Sequence, residues 1–169
     1  MRLRDRCDSD IEACVRLLRA THEADGYPRV WPRDPERFVR SRHEMGAWVL
    51  EEGGVVRGHV ALHEVATDPT LDIVRAVTGR REDELAVVAR LLTSPDHRRR
   101  GFGAVLVQHA TSVAHGLGRQ PVLDVDKTLE APIALYEAAG WQRAGDFRLE
   151  GADAVLDLWV YIGPEPACL

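Results

Sequence analysis

The amino-acid sequence predicts an α/β fold in which helices cover both faces of one mixed β-sheet. Short apolar or alternating segments bounded by turn residues indicate strands, and segments with apolar residues three and four positions apart indicate helices between them. The chain has 169 residues, of which 45% are hydrophobic and 29% charged, as in ordinary globular proteins. Residues 1–169 are therefore expected to form a single domain around one core.

The pattern predicts a regular alternation of strands and helices. In chain order the predicted elements are a strand at 2–6, a helix at 11–24, a helix at 35–45, strands at 47–50 and 55–62, a helix at 71–78, a strand at 85–92, a helix at 103–115, a strand at 122–125, a helix at 132–140 and strands at 141–149 and 154–162.

Turn and capping residues set these boundaries in the N-terminal half. Asp8 and Asp10 are candidate N-caps of the first helix, and Asp25-Gly26 ends it. Three prolines at positions 28–35 predict an ordered loop. Glu51-Glu52-Gly53-Gly54, between two apolar segments, predicts a β-hairpin with glycine at its turn.

The C-terminal half contains the most regular patterns. Leu85 to Leu92 is almost continuously apolar, as in a central strand that is buried on both faces. Pro132 suits the first turn of a helix, and Gly151 suits a turn between the last two strands. The helix predicted over 103–115 places four apolar residues on one face: Leu106, Ala110, Val113 and Leu117.

Charge, hydropathy and cysteine content exclude several classes of protein. The net charge of −5 disfavours general nucleic-acid binding, which needs many basic contacts. No apolar run reaches the ~18 residues of a membrane span, and the first residues lack the apolar core of a signal peptide. Cys7, Cys14 and Cys168 form no C-x-x-C pair, which predicts free thiols and no zinc site. We therefore expect a cytoplasmic protein without nucleic-acid or membrane partners.

The most informative segment joins the predicted central strand to the following helix. It reads Leu91-Leu92-Thr93-Ser94-Pro95-Asp96-His97-Arg98-Arg99-Arg100-Gly101-Phe102-Gly103-Ala104. The first amides of a helix have no intrahelical partner and carry partial positive charge, so they attract phosphate. Gly101 and Gly103 allow the backbone to approach a ligand closely, and the arginines add charge-assisted hydrogen bonds. The segment therefore predicts a phosphate site.

Two common phosphate loops do not fit this segment. The dinucleotide fingerprint G-x-G-x-x-G would require glycine where Leu106 stands, and a P-loop would require a G-K-[ST] triplet. The pattern [Q/R]-x-x-G-x-[G/A] does fit, at Arg98, Gly101 and Gly103. Together with the preceding strand and proline, it resembles the hallmark motif of the GNAT family of N-acetyltransferases.

A second match lies downstream of the long helix. In GNAT proteins the next strand is followed by a helix with a tyrosine just before a glycine–aromatic pair. Here Leu123-Asp124-Val125-Asp126 is followed by Tyr136 and by Gly140-Trp141. The resemblance is close over residues 84–146 and covers the whole chain in outline. It implies the GNAT fold, a mixed, mostly antiparallel central sheet of six to seven strands flanked by helices on both faces.

The resemblance also implies a reaction and the residues that serve it. GNAT enzymes use acetyl-CoA as co-substrate to acetylate a primary amine on a small molecule, peptide or protein N-terminus, without a metal, and are often homodimers. By alignment, Tyr136 is the general acid that protonates the departing thiolate. The implied acetyl-CoA-binding residues are Leu91, Leu92 and Thr93, through their main chain beside the pantetheine arm, and Arg98, Arg99, Arg100, Gly101, Phe102, Gly103 and Ala104, around the pyrophosphate.

The general base stays open at this stage. Relatives often have a glutamate on the strand where this chain has Val87-Val88-Ala89, and their frequent asparagine before the tyrosine helix is Leu129 here. An alkylammonium has a pKa near ~10.4, so a base or a water relay must remove its proton. The alternatives for the base are Glu84, His63, Glu64 and Asp124.

Several residues allow both a functional and a structural interpretation. His59 and His63 share a strand face, but no third metal ligand has suitable spacing, which favours a structural pair. Asp124 and Asp126 also share a face and either attract a cationic amine or are solvated at the sheet edge. Three aromatic residues are candidates for an acceptor pocket, although core packing is their commoner role: Tyr27, Trp31 and Trp48.

Three other functions compete with acetyl transfer. The same chemistry would also serve a longer acyl-CoA. A non-catalytic acyl-CoA-binding or regulatory domain would need no general base. A nucleotide-phosphate binder would use the arginine loop, but the missing P-loop lysine disfavours it.

Overall fold

A computed structural model of the chain describes residues 1–65, 69–151 and 153–166, without the side chain of Pro69. In chain order the elements are β1 (Arg2–Asp5), α1 (Ile11–Asp25), α2 (Pro35–Val39), β2 (Glu44–Glu52), β3 (Val55–His63), α3 (Pro69–Thr78), β4 (Leu85–Thr93), α4 (Phe102–Gly116), β5 (Gln120–Asp126), α5 (Glu130–Ala138), β6 (Gln142–Glu150) and β7 (Val155–Ile162). Short 3₁₀ turns precede α1, β4 and α4.

The strands form one sheet in the order β1-β2-β3-β4-β5-β7-β6. Among the described residues every neighbouring pair is antiparallel except β4 with β5. A parallel pair needs a crossover connection, and α4 supplies it. The predicted class, a mixed and mostly antiparallel sheet flanked by helices on both faces, is confirmed.

The alternation of side chains along the strands divides the core between two faces. On one face, α4 and α5 pack against Val60 and Leu123. On the other face, α1 and α2 pack against Val49 and Leu92, and α3 packs against Val122. The segment between α1 and α2 therefore lies on the face opposite to α4.

The hairpin between β2 and β3 has the predicted glycine turn. Gly53 and Gly54 both have positive φ, 59° and 76°. Two consecutive residues of positive φ form the turn whose twist matches that of antiparallel strands, and glycine adopts it without steric cost. The turn fixes the register that places His59 opposite Val49.

The helix predicted over 35–45 is wrong in its second half. It ends at Val39, because Arg40 leaves the helical region with φ −102° and ψ 83°. Glu44 is already part of β2, where it pairs with His63 of β3. Strand pairing therefore overrides the local helical pattern there.

The apolar face of α4 also differs from the predicted face at its C-terminal end. Leu117 was expected to be buried, but it is 54% exposed because the helix ends at Gly116. Gly118, with φ 70°, then turns the chain away. The buried residues of α4 are Phe102, Leu106, Val107, Ala110, Thr111 and Ala114.

The parallel pair in the middle of the sheet opens into a cleft. β4 and β5 pair only from Leu85 with Gln120 to Val87 with Val122. Further along β4, a register shift against β3 and a φ of 53° at Arg90 mark a β-bulge. The two strands therefore separate toward their carboxyl ends, and α4 begins shortly after β4 ends.

Candidate functional site

The start of α4 has the geometry of an anion site. Arg99 and Gly101 both have positive φ, 62° and 78°, on either side of Arg100. Such alternation turns successive amides toward one point and forms a concave anion nest. The N–H groups of residues 99–104 form no hydrogen bond with the described part of the chain, and the first helical bond runs from Val105 to Gly101. These amides are available to a ligand.

Gly103 lies between this loop, the end of β4 and α5. A Cβ atom added to Gly103 would lie 2.9 Å from Leu135 Cδ2 and 3.8 Å from Thr93 Cγ2. The missing side chain therefore keeps the space between α5 and the end of β4 open beside the free amides.

The three arginines of the predicted phosphate loop have different environments. Arg98 forms an ion pair with Asp25 at the end of α1. Arg100 donates hydrogen bonds of 2.7 and 2.8 Å to the two carboxylate oxygens of Glu52. Arg99 makes no ion pair or hydrogen bond with a described residue. Two of the arginines thus hold the loop against α1 and β2.

The last residues of β4 offer main-chain groups to the cleft. Leu91 packs toward α4, Leu92 is buried on the α1 face, and Thr93 pairs with Gly58 of β3. On its other side, β4 has no described strand partner beyond Val87. The backbone edge that faces β5 is therefore unpaired along the segment for which main-chain binding is predicted.

Tyr136 of α5 approaches the cleft from the α4 face. Its ring centroid lies 5.8 Å from that of Trp141 and 6.2 Å from that of Tyr161, so the ring is fixed by packing. Burial raises the pKa of Tyr136, and Tyr27 and the Asp124 carboxylate raise it further. Tyr136 therefore keeps its proton at neutral pH, as a proton donor must.

The segment between α1 and α2 covers the cleft from the opposite face. Arg29 lies 3.4 Å from the Asp126 carboxylate of β5 and forms an ion pair with it. Burial raises the pKa of Tyr27, and Arg90 and Asp124 act on it in opposite directions. The Asp124 carboxylate therefore acts on one tyrosine from each face of the sheet, Tyr27 and Tyr136.

Arg90, at the β-bulge, points its side chain toward α2. Its Nε donates a 3.0 Å hydrogen bond to the Phe38 carbonyl, and the guanidinium carbon lies 3.7 Å from the centroid of the Phe38 ring. Arg90 is half-buried, and these two contacts hold its side chain against α2.

His59 of β3 holds the bulge from the neighbouring strand. Its Nδ1 lies 2.9 Å from the Arg90 carbonyl and its Nε2 lies 3.1 Å from Arg6 Nη1. An arginine can only donate, so Nε2 accepts and Nδ1 carries the proton that it donates to the carbonyl. Burial lowers the pKa of His59 to about 4, which keeps the ring neutral at neutral pH.

Comparisons with known proteins agree with this geometry. A family model described as "Acetyltransferase (GNAT) family" matches residues 12–141. The chain belongs to the GNAT family. N-acetyltransferase family 8 member 3 of Rattus norvegicus is 33% identical over 115 residues, which cover 68% of the chain and 46% of that relative. The chain therefore spans less than half the length of this relative.

Two solved structures have the GNAT fold of this chain. The ribosomal-protein-S18-alanine N-acetyltransferase from Escherichia coli gives a TM-score of 0.69 at 18% identity, over 96% of this chain and 92% of that one. yncA from Salmonella typhimurium, determined with its cofactor acetyl-CoA, gives a TM-score of 0.71 at 18% identity, over 100% of this chain and 97% of that one.

The four candidates for the general base of this GNAT protein lie in different places. Glu84 accepts a 2.8 Å hydrogen bond from the Arg81 N–H in the 3₁₀ turn before β4. Glu64 is exposed after the end of β3, and His63 is buried on the α1 face. Asp124 lies two positions beyond the last β4–β5 pair, and it is the candidate that the structure brings to the cleft.

The three aromatic candidates for the acceptor pocket of this GNAT protein lie in different parts of the structure. Tyr27 packs against the cluster on the α1 face that includes Leu92, whereas Trp48 belongs to the main core and contacts His109 edge-on at 4.9 Å between ring centroids. Trp31 packs beside His22 and under the Arg19 guanidinium, next to α1.

The described residues contain no group of histidine, cysteine, aspartate or glutamate side chains arranged to hold a metal ion. No helix in the described ranges is long and apolar enough to cross a membrane. Cys7 and Cys14 are free thiols, and Cys168 lies outside the described residues.

Two residues of the site were not predicted as functional from the sequence. Arg90 interrupts an otherwise apolar strand, and this interruption was the available signal for it. The role of His59 depends on a hydrogen bond to a residue 31 positions away, for which the sequence carries no local signal.

Proposed function

We propose that this GNAT protein transfers an acetyl group from acetyl-CoA to a primary amine. The observation that carries the proposal is a parallel strand pair that opens beyond Val87, next to a run of free amides at residues 99–104. The first supplies a slot for an extended thioester arm, and the second supplies a site for its pyrophosphate. The family membership supports the same reaction.

In this proposal the main chain holds most of the co-substrate. The unpaired backbone of Leu91, Leu92 and Thr93 binds the pantetheine arm, and the amides of residues 99–104 bind the pyrophosphate. Arg99 adds charge, since Arg98 and Arg100 are engaged by carboxylates. Bound in this way, acetyl-CoA supplies an acyl group that is activated as a thioester.

The reaction forms one bond and breaks another. The neutral amine nitrogen attacks the thioester carbonyl carbon, the carbon–sulfur bond breaks, and the sulfur leaves as a thiolate. An N–H group of β4 near the bulge stabilises the developing negative charge on the carbonyl oxygen. Tyr136 donates its proton to the leaving sulfur, and the proton that the nitrogen loses as the amide forms restores the Tyr136 hydroxyl. Asp124 holds the incoming ammonium group until its proton passes to water.

We also propose one catalytic domain over residues 1–169, because a single sheet includes strands from both ends of the described chain. The free thiols of Cys7 and Cys14 support a reducing compartment such as the cytoplasm. The family resemblance supports a homodimer, which sedimentation velocity would detect.

Titration with acetyl-CoA, ADP and NAD tests the proposed donor. Saturable binding is expected for acetyl-CoA. ADP and NAD should each bind more weakly than acetyl-CoA. Release of the free thiol in the presence of a panel of primary amines tests the transfer. Acetyl-CoA binding without thiol release would favour the non-catalytic domain, and faster release from a longer acyl-CoA would favour the alternative donor. No binding at all would overturn the proposal.

Replacement of Tyr136 by phenylalanine tests the proton donor. We expect Tyr136→Phe to lower kcat by about 10²-fold, because general acid catalysis contributes at least this much, while the Kd for acetyl-CoA stays within about twofold. Tyr161→Phe is the matched control, since the Tyr161 hydroxyl is bound to Glu137 outside the cleft. Unchanged turnover in Tyr136→Phe would remove Tyr136 from the mechanism.

A further inference from the structure

The segment between α1 and α2, residues 26–34, forms a strap across the opening between β4 and β5. Tyr27 of the strap packs against the apolar cluster that includes Leu92 of β4. Two residues further along, Arg29 forms an ion pair with Asp126 of β5. The strap therefore connects the two strands that the opening separates.

The two points of attachment lie at about the same height and on the same face of the sheet. The last β4–β5 pair is Val87 with Val122, and Leu92 and Asp126 lie five and four positions beyond it. Leu92 belongs to the cluster under α1, and Asp126 shares a face with Val122 because side chains alternate along a strand. Strand pairing thus bounds the opening at its base, β4 and β5 bound its sides, and the strap bounds its top.

Several contacts hold the strap to α1. The Pro28 carbonyl lies 2.7 Å from His22 Nδ1, which donates because a carbonyl oxygen can only accept. The centroid of the Trp31 ring lies 5.4 Å from that of the His22 ring and 4.6 Å from the guanidinium carbon of Arg19. The strap would therefore stay attached to α1 without its ion pair to β5.

The ion pair with β5 is a weaker attachment. Its nitrogen–oxygen distance is 3.4 Å and the Arg29 side chain is 45% exposed, so solvent and salt screen the interaction. The Asp126 side chain is 10% exposed, and its Oδ1 accepts hydrogen bonds of 2.9 Å from the Thr128 N–H and 2.6 Å from Thr128 Oγ1. Asp126 is thus held in place separately, and Arg29 is the partner that can be released.

We propose that the Arg29–Asp126 ion pair selects acceptor amines by their width: the closed pair admits slim amines, and its release admits wider ones. This inference rests on the proposed acetyl transfer and names two residues that determine its specificity. The amides before α4 and Tyr136 of α5 serve the co-substrate from the α4 face, so the acceptor approaches from the face that the strap covers. An exposed ion pair contributes little free energy, so this one can open in each catalytic cycle.

The test compares two amines that share a reacting group and differ in width. The best amine of the panel competes for acetyl-CoA with a derivative that carries a naphthyl group two carbons from the nitrogen, and the ratio of the products gives the ratio of the two kcat/KM values. We expect Arg29→Met to raise the ratio of wide to slim amine about two- to fivefold, the range that an exposed ion pair provides. Asp126→Asn should give the same increase, because asparagine removes the charge and keeps an oxygen for Thr128.

Two control variants isolate the ion pair. Arg33→Met removes a charge from the same strap, but Arg33 forms no ion pair with a described carboxylate. Thr128→Val removes one hydrogen bond to Asp126 and leaves Arg29 in place. Neither control should change the ratio. Potassium chloride at about 1 M, where the screening length falls to about 3 Å, should raise the ratio in the unmodified protein and leave it unchanged in Arg29→Met.

Hydrogen exchange, followed by mass spectrometry, measures the release of the strap without any reaction. Amides of residues 26–34 should exchange about two- to fivefold faster in Arg29→Met and Asp126→Asn than in the unmodified protein. An unchanged product ratio in both variants, or unchanged exchange in both, would overturn selection by width and leave acetyl transfer standing. No thiol release with any amine of the panel would overturn acetyl transfer itself, and this inference with it.

Discussion

Gly103 is the residue at which the loop before α4, the end of β4 and α5 come together. An added Cβ atom would lie 2.9 Å from Leu135 Cδ2. This methyl group is the end of a flexible side chain, so it can shift to make room. The next atoms of a larger side chain would extend into the space beside Thr93 and the free amides. The size of this one side chain therefore controls access to the proposed pyrophosphate site.

We expect Gly103→Val to raise the Kd for acetyl-CoA by about tenfold or more, at least 1.4 kcal/mol of binding free energy. Calorimetric titration measures the change. Gly116→Val is the control, because Gly116 belongs to the same helix and an added Cβ atom there meets nothing within 4 Å. If both variants bind acetyl-CoA equally well, the ligand does not occupy the space at Gly103.

The position of the anion loop could be predicted from the sequence, but the carboxylates that bind its arginines could not. The spacing of Arg98, Gly101 and Gly103 is a local pattern, and the amides without a hydrogen-bond partner lie in the segment that it marks. Asp25 and Glu52, which hold two of the arginines, lie 73 and 48 positions away from them. Such ion pairs follow from the tertiary fold. They give the three arginines different partners, although the sequence alone does not distinguish them.

At the scale of elements, the β-bulge of β4 depends on a side chain of β3. Neutral His59 donates from Nδ1 to the Arg90 carbonyl, and Arg6 fixes the orientation of the ring from its other nitrogen. The bulge turns the following main chain toward the cleft, where the thioester is proposed to bind. His59 is therefore expected to position this main chain without touching the substrate.

Two substitutions of His59 separate positioning from packing. His59→Leu should lower kcat about tenfold with a smaller change in the Kd for acetyl-CoA, because it removes the donor that holds the bulge and leaves a buried carbonyl unpaired. His59→Asn should restore most of kcat, since its amide nitrogen can replace Nδ1. Steady-state kinetics and calorimetric titration measure the two effects.

His115→Leu provides the comparison for these variants. It removes a similar hydrogen bond, 3.0 Å from His115 Nε2 to the Pro164 carbonyl, away from the cleft. Its kcat should stay within about twofold of the unmodified protein, whatever its stability. Equal loss of kcat in His59→Leu and His59→Asn would argue against a positioning role.

Elements with local signals were predicted well, and elements set by pairing were not. The first helix ends at Asp25 with Gly26 in the left-handed region, as the Asp25-Gly26 pair indicates. The helix predicted over 35–45 failed because Glu44 joins β3 through strand pairing. The bulge at Arg90 likewise depends on the neighbouring strand, so no local pattern marks it.

At the scale of the whole molecule, the cleft depends on packing on both faces of the sheet. Tyr136 approaches from the α4 face, whereas Tyr27 and Arg29 approach from the segment between α1 and α2. The order of elements predicted the sheet and its helices. The separation of β4 from β5 depends on tertiary contacts, so no local pattern of residues indicates it.

The burial of His59 and His63 gives the fold a predictable dependence on pH. Burial lowers the pKa of both rings from 6.5 to about 4, so below pH 6.5 the unfolded chain binds protons that the folded chain does not. The free energy of unfolding should therefore fall as the pH decreases from 6.5 to about 4, by about 1.4 kcal/mol per pH unit for each histidine.

Urea denaturation at pH 7, 6, 5 and 4.5 measures this slope. The carboxylate of Asp10, whose pKa is lowered mainly by its hydrogen bond from Arg4, loses its stabilising effect only below the ordinary carboxyl pKa of ~3.9. Hydrogen bonds lower the pKa of Glu52 and Glu137 from 4.5, so these two contribute only near the acid end of the series and the slope between pH 6.5 and 5 reports the histidines. His63→Leu should reduce the slope by one histidine's share. A free energy of unfolding that is constant from pH 7 to 4.5 would mean that both histidine rings become protonated in the folded protein. In that case His59 would not be a neutral donor between Arg6 and the bulge.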